Sequence, residues 1–190
     1  MRLGWTFGCL VVGVVVAVIV MGSRNACPAS SEESRLAIYV HKSARELLLQ
    51  DGERVLRSFP IVLGTDPKGG KLYRGDGRTP EGTYYIGEKR PNSRFRRFLG
   101  ISYPNITDAE RAVQDKLIND DQWADIFFAN LNNTMPPANT SLGGRVGIHG
   151  FGGRPEMPID WTEGCIAVPD GDIDYLYDTV PLGTPVIITN

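Results

Sequence analysis

The sequence is poor in cysteine and histidine, with three of the former and two of the latter in 190 residues. Cys9 falls in an apolar N-terminal run and Cys27 at its edge, so the body of the chain holds a single thiol, Cys165. An internal disulfide framework is thereby excluded. In an exported domain an unpaired cysteine is either buried as a small hydrophobe or put to use. Two histidines, His41 and His149, without spaced cysteine pairs are too few to suggest a zinc site, and no metal is expected. The loop Gly75-Asp76-Gly77-Arg78 has a calcium-loop flavour but lacks the spaced carboxylates and terminal Glu of one. Charge excess is missing as well: 20 Lys and Arg stand against 22 Asp and Glu, a formal net charge of −2. That removes the global electrostatic case for nucleic acid. There is no internal repeat and no low-complexity tract beyond the N-terminal run, and no composition or motif implies a cofactor.

What the chain does have begins at its N-terminus. Leu3–Gly22 contains no charged residue and is mostly Val, Leu, Ile, Gly and Ala. It is about as long as the roughly 20 apolar residues that cross a bilayer as a helix. The segment that follows, Ser23-Arg24-Asn25-Ala26-Cys27-Pro28, offers a poor cleavage site, so residues 1–22 read as an uncleaved signal anchor in preference to a signal peptide. Arg24-Asn25-Ala26-Cys27 is a weak lipoprotein signal. Residues 23–35 are small, polar and charged, a tether. Every export reading places residues 31–190 outside the cytoplasm: membrane-anchored with the domain in the periplasm, or free in the periplasm if cleaved. About 160 residues suffice for one domain with a real core.

The remainder reads as mostly β with a few helices. Leu36–Lys42 and Glu46–Gln50 alternate as strands, and Asp51-Gly52 is a hairpin turn leading to a third strand over Glu53–Leu63. Gly64–Gly82 is a glycine- and proline-rich loop. Thr83–Ile86 and Phe98–Tyr103 resume strands. Between them Lys89–Phe98 is the densest basic stretch, read by default as a solvated face. Thr107-Asp108-Ala109-Glu110 has the form of a capping box and opens a helix. A second helix covers Gln122–Leu131, and Asn132–Gly144 is a loop. Val146–His149 and Ile166–Val168 are short core strands, Asp170–Val180 a helix, and Thr184–Thr189 a closing strand.

Chemistry concentrates in the last third, where Cys165 stands in Asp160-Trp161-Thr162-Glu163-Gly164-Cys165-Ile166-Ala167 and His149 in Gly147-Ile148-His149-Gly150. A lone thiol with a histidine elsewhere in the chain outlines an activated cysteine nucleophile, since the thiolate is the reactive form and an imidazole can generate it. The plainer alternatives are a buried structural cysteine and a satisfied core histidine at a strand end. Thr162 reads as a turn residue or a substrate contact, Trp161 as a pocket wall or core packing, and Glu163 as a ligand for a substrate amine or a solvated carboxylate. His41 reads as surface.

Gly147-Ile148-His149-Gly150 followed by Thr162-x-Gly164-Cys165 resembles the active-site signature of the L,D-transpeptidase (YkuD-type) catalytic domain. Thr79-Pro80-Glu81-Gly82-Thr83-Tyr84, Ile101-Ser102-Tyr103-Pro104-Asn105 and Gly183-Thr184-Pro185-Val186 extend the likeness over about Leu36–Asn190. Glu163 replaces the usual His of the signature and Ala167 the usual Arg or Asn, which marks a divergent branch. The resemblance implies an L,D-transpeptidase-like β-sandwich and peptidoglycan stem peptides as partners. It implies acyl transfer through a thioester on Cys165 with His149 as base, the Gly150 carbonyl orienting the imidazole, and the Gly164 and Cys165 N–H groups as oxyanion donors. Thr162, Trp161 and Glu163 would contact substrate, and a carbapenem would acylate Cys165. The alternative on the same fold is a cysteine amidohydrolase or L,D-carboxypeptidase acting on the wall or on wall-attached groups.

Overall fold

The computed structural model describes Met1 and residues 35–190. The apolar run Leu3–Gly22 and all of the tether except Arg35 lie outside the described residues. Among the described residues no helix is long and apolar enough to cross a membrane.

Eight strands and three helices follow one another along the chain. β1 (Leu36–His41), β2 (Glu46–Asp51) and β3 (Arg54–Pro60) form an antiparallel meander. Alternation aims Ile38, Val40, Leu47 and Leu49 into the core. Gly52, at φ +58°, makes the turn that Asp51-Gly52 predicts. β4 (Gly82–Ser93) and β5 (Arg96–Ile101) form a hairpin. α1 (Ile106–Gln114) and α2 (Asp120–Leu131) follow, then β6 (Gly147–His149), β7 (Ile166–Ala167), α3 (Asp170–Thr179) and β8 (Pro185–Thr189). All strands join one hydrogen-bonded ladder in the order β3-β2-β1-β8-β4-β5-β6-β7. The β1–β8 and β6–β7 pairs are parallel and the others antiparallel. β4 is the hinge of the ladder: Gly82–Tyr85 pair with β8, and Ile86 onward pairs with β5. The core is continuous across that hinge. Ile38, Val40 and Leu49 from one half share a cluster with Leu99, Ile101, Ile148 and Ile166 from the other, together with Ile173 and Leu176 of α3.

Two features differ from expectation. The basic stretch Lys89–Phe98 is no free face; it belongs to the β4–β5 hairpin, and α3 takes up most of its charge. Lys89 donates to the carbonyls of Tyr177 and Val180 at the C-terminal end of α3, where a cation meets the negative pole of the helix. Arg96 pairs with Asp174 and Arg97 with Asp174 and Asp178. These partners lie far apart in sequence, so no local pattern announces them. The α1 cap also sits earlier than expected. Asn105, not Thr107, is the N-cap; its side chain accepts from the Asp108 N–H while Asp108 accepts from the Asn105 N–H.

Asp108 does more than cap. Buried at 8% exposure, it also accepts from the Tyr84 hydroxyl at 2.9 Å. Burial outweighs these hydrogen bonds and the nearby Arg111, and raises its pKa from 3.8 to about 6. Because the folded value lies above the unfolded one, the protonated carboxyl favours folding. That contribution is complete below about pH 4 and is lost as pH rises through about 6. Asp108→Asn keeps an acceptor and does not titrate. Wild type is expected to lose roughly 3 kcal/mol relative to Asp108→Asn between about pH 4 and pH 7, taking ~1.4 kcal/mol per pKa unit. Denaturant titrations at several pH values check this, and a pH-independent difference would contradict it.

Candidate active site

His149 is placed by its neighbours on both sides. It ends β6, opposite Phe98 of β5 and Ala167 of β7, and is 3% exposed. Its Nδ1 lies 2.7 Å from the Gly150 carbonyl oxygen. A carbonyl only accepts, so Nδ1 carries the hydrogen and Nε2 keeps a lone pair. Phe95 stacks on the ring at 4.7 Å, and Trp161 lies tilted against it at 5.8 Å. Burial lowers the His149 pKa below the ordinary 6.5, more than the Gly150 carbonyl raises it, and leaves a neutral imidazole at neutral pH. Gly150 tolerates no side chain: a Cβ there would stand 2.4 Å from Asp170 Oδ1. Asp170 in turn accepts from the N–H groups of Gly152 and Gly153, which fixes the chain just after the histidine.

The cysteine loop is clamped to the segment that follows β3. Asp160 accepts from the Leu63 N–H at 2.8 Å and takes both Nε and NH2 of Arg45. Trp161 and Thr162 donate to the Leu63 carbonyl, Thr65 donates to the Thr162 carbonyl, and Val62 and Ala167 exchange both backbone hydrogen bonds at 2.9 Å. Gly164 then turns at φ +127°, with the Arg78 carbonyl 2.5 Å from where a Cβ would be. Only glycine satisfies both constraints.

The β6–β7 register draws the two motifs together: His149 pairs with Ala167, and Cys165 stands two residues before Ala167, at the entrance to β7. The Cys165 thiol points toward the Arg145 carbonyl, 3.8 Å away. It opens on a cleft of about 680 Å³ lined also by Lys71, Arg74, Arg145 and Glu163. Burial raises the thiol pKa, the largest influence on it; Glu163 adds to that, while the Gly147 backbone, Lys71 and Arg90 oppose it. Burial thus favours the neutral form of each group, the thiol and the imidazole.

The other expected site residues separate into two groups. Glu163 is exposed at the cleft wall, and Trp161 packs on His149, Phe95 and Phe151. Thr162, expected at the substrate, is instead 3% exposed and braces the loop: its Oγ1 donates to the Cys165 carbonyl at 2.6 Å and accepts from the Gly164 N–H at 3.2 Å. The Gly164 N–H, expected as an oxyanion donor, is thus already engaged. The Cys165 N–H has no acceptor among the described residues.

Sequence reasoning missed Lys71 and Asp76. Lys71 lies 5% exposed in the wall of the cleft and pairs with Asp76 at 2.6 Å. Asp76, in the loop Gly75–Arg78, accepts from the N–H groups of Leu72, Tyr73 and Arg78. The only local hint was an acidic residue between two glycines a few positions after a lysine.

A family model described as the YkuD L,D-transpeptidase catalytic domain matches residues 35–188. No curated protein matches the sequence. Among solved structures, the helical cell shape determining protein Pgp2 of Campylobacter jejuni is similar at 22% identity and a TM-score of 0.57, over 82% of this chain and 47% of that one. Bd1075 of Bdellovibrio bacteriovorus is similar at 22% identity and a TM-score of 0.52, over 82% of this chain and 48% of that one. An L,D-transpeptidase from Xylanimonas cellulosilytica matches at 17% identity and a TM-score of 0.49, over 82% of this chain and 61% of that one. The first two likenesses show the fold. This chain spans about half the length of those two structures and less than two thirds of the third.

The protonation state of the site has a direct readout. Iodoacetamide modification of Cys165, followed by peptide mass spectrometry, is expected to rise with pH at a midpoint above that of a free cysteine, about 8.5. A midpoint on the acid side of that value would mean a thiolate–imidazolium pair at rest.

Proposed function

The chain belongs to the YkuD L,D-transpeptidase catalytic-domain family, and we propose that it remodels peptidoglycan by acyl transfer through a thioester on Cys165. The observation that carries this reading is that Cys165 opens on a cleft walled by Lys71, Arg74 and Arg145, with His149 on the strand that pairs with β7 just after the cysteine. A stem peptide ends in a carboxylate, and a basic wall suits it.

In this mechanism His149 Nε2 takes the thiol proton as Sγ attacks the carbonyl of the third stem residue. The same imidazole returns the proton to the departing D-alanine amine. The Gly150 carbonyl holds the ring in the one tautomer that can do this without adding a charge that would raise its pKa further. Thr162 and Gly164 fix the backbone so that the Cys165 N–H faces the developing oxyanion. A side-chain amine of a neighbouring stem, met by the exposed Glu163, then attacks the thioester and takes the acyl group; the C–S bond breaks and the amine's proton passes through His149 to the departing sulfur. Water in its place gives an L,D-carboxypeptidase or an amidohydrolase. The domain acts where peptidoglycan lies, outside the cytoplasm, held at the membrane by residues 1–22.

Incubation with disaccharide-tetrapeptide, followed by intact-protein and product mass spectrometry, tests the reading. The expected result is a Cys165 acyl adduct, release of D-alanine and formation of dimer; a carbapenem should give a stable adduct at the same residue. Release without dimer would identify a hydrolase, and no adduct with either probe would sink the thioester. Cys165→Ala should abolish turnover while the melting temperature shifts only slightly, since one sulfur beside an open cleft leaves little cavity.

The neutral imidazole also predicts the acid limb of activity. His149 must be unprotonated to accept the thiol proton, so kcat/KM falls as pH drops through its lowered pKa. Between about pH 4 and pH 8 the profile should show one acid limb with its midpoint below 6.5, the ordinary histidine value. A limb centred above that value would contradict the assignment.

A further inference from the structure

Two lysines are buried around the glycine-rich loop, and they differ in how their ammonium groups are satisfied. Lys42, 0% exposed, has three acceptors: the Gly69 carbonyl at 2.6 Å, the Thr79 carbonyl at 3.1 Å and Glu81 Oε1 at 2.8 Å. All of its hydrogens are used, and it ties the loop to β1. Lys71 is nearly as buried, with 4% of its side chain exposed, but Asp76 Oδ1 is its one acceptor among the described residues. Its remaining hydrogens have no partner among the described residues, and it lines the same cleft as the Cys165 thiol. The Lys71 Nζ lies 3.5 Å from where a Cβ on Gly164 would stand, immediately before the cysteine. A buried ammonium with spare donors is costly to hold, and it is expected where negative charge forms.

Meanwhile the loop is short of an oxyanion donor, because the Gly164 N–H is directed at Thr162 Oγ1. We propose that Lys71 is a catalytic residue whose ammonium hydrogen-bonds the oxygen that becomes negative when Cys165 attacks a carbonyl, acting beside the Cys165 N–H. The proposal rests on Cys165 being an acyl-accepting nucleophile. The sulfur electron pair forms the S–C bond while the thiol proton passes to His149. The carbonyl π pair moves onto oxygen, which Lys71 meets. When that pair returns, the C–N bond to the leaving amine breaks and the amine takes the proton from His149. Lys71 donates a hydrogen bond and transfers no proton. Asp76 is its positioning residue, held by three backbone N–H groups. Arg111 donates to the Lys71 carbonyl and fixes the backbone from the α1 side. Arg74 and Arg145, which also line the cleft, are exposed. They suit peripheral carboxylates better than a forming oxyanion. The charged groups acting on the thiol are Lys71 and Arg90, which favour the thiolate, and Glu163, which opposes it.

The test separates an oxyanion from a thiolate effect and needs no wall substrate. Acylation of Cys165 by p-nitrophenyl acetate passes through a tetrahedral oxyanion; alkylation by iodoacetamide does not. Both rates are measured on the full chain for wild type, Lys71→Met, Lys71→Arg and the double variant Lys71→Met/Asp76→Asn, which leaves no orphaned carboxylate. Acylation by the two Met variants is expected to fall about 10²–10³-fold, the range for losing one oxyanion donor. Alkylation should fall much less, by only the smaller thiolate fraction, and Lys71→Arg should retain more acylation than Lys71→Met. Equal losses in the two reactions would reduce Lys71 to a thiolate partner and overturn the proposal, as would unchanged acylation. Circular dichroism and a thermal melt of each variant, matched to wild type, establish that the variants are folded. If wild type acylates with the ester but ignores disaccharide-tetrapeptide, the proposed substrate fails while the Lys71 assignment is still decided.

Discussion

The site depends on one clamp: the strand-like segment Val62–Thr65, bonded along its length to the cysteine loop. Asp160, Trp161, Thr162 and Ala167 all hydrogen-bond to it. Each such bond is worth on the order of 1 kcal/mol net, and together they leave the loop one path. That path forces Gly164 into a conformation closed to other residues and brings Cys165 to the entrance of β7, beside the strand that ends in His149. Without the clamp, β7 is two residues long and could not fix its own register.

Around the clamp the protein uses charge as internal scaffolding. A loop as rich in glycine as residues 64–82 has little side-chain mass with which to make a core. Lys42 and Asp76 supply what packing cannot, each gathering backbone groups from several turns. Buried ions are costly unless every donor and acceptor is met. Lys42 meets that condition with three acceptors, whereas Lys71 has one among the described residues. The hairpin arginines play a milder version of the same role. Their pairs with Asp174 and Asp178 are half exposed, so they orient α3 more than they stabilise it.

Much of this was legible in the chain. Alternation predicted β1 and β2, Asp51-Gly52 predicted the turn, and the Gly-His-Gly and Gly-Cys motifs marked the two strands that carry the site. The glycines were legible as parts of the two motifs, but their reason is tertiary: a Cβ on Gly164 would strike the Arg78 carbonyl, and one on Gly150 the Asp170 carboxylate. Less legible was anything that depends on a distant partner. Lys89–Phe98 looked like a solvated basic face because Asp174 and Asp178 lie some eighty positions away. The cap of α1 was misplaced because Asn105 and Thr107 both begin a plausible capping box. Only the burial of Asp108 against Tyr84 chooses between them.

By itself, then, the sequence determined the elements, the family signature, and the nucleophile and base as candidates. Each of those follows from residue type and spacing within a short window. Tertiary structure alone decided which N–H groups near the cysteine are free, since Thr162 takes one of them across a turn. It decided that imidazole and thiol each favour the neutral form, since burial is a property of the whole fold. And it decided that Lys71 belongs to the cleft, because only folding removes a lysine of a glycine-rich loop from water and sets it in the same wall as the Cys165 thiol.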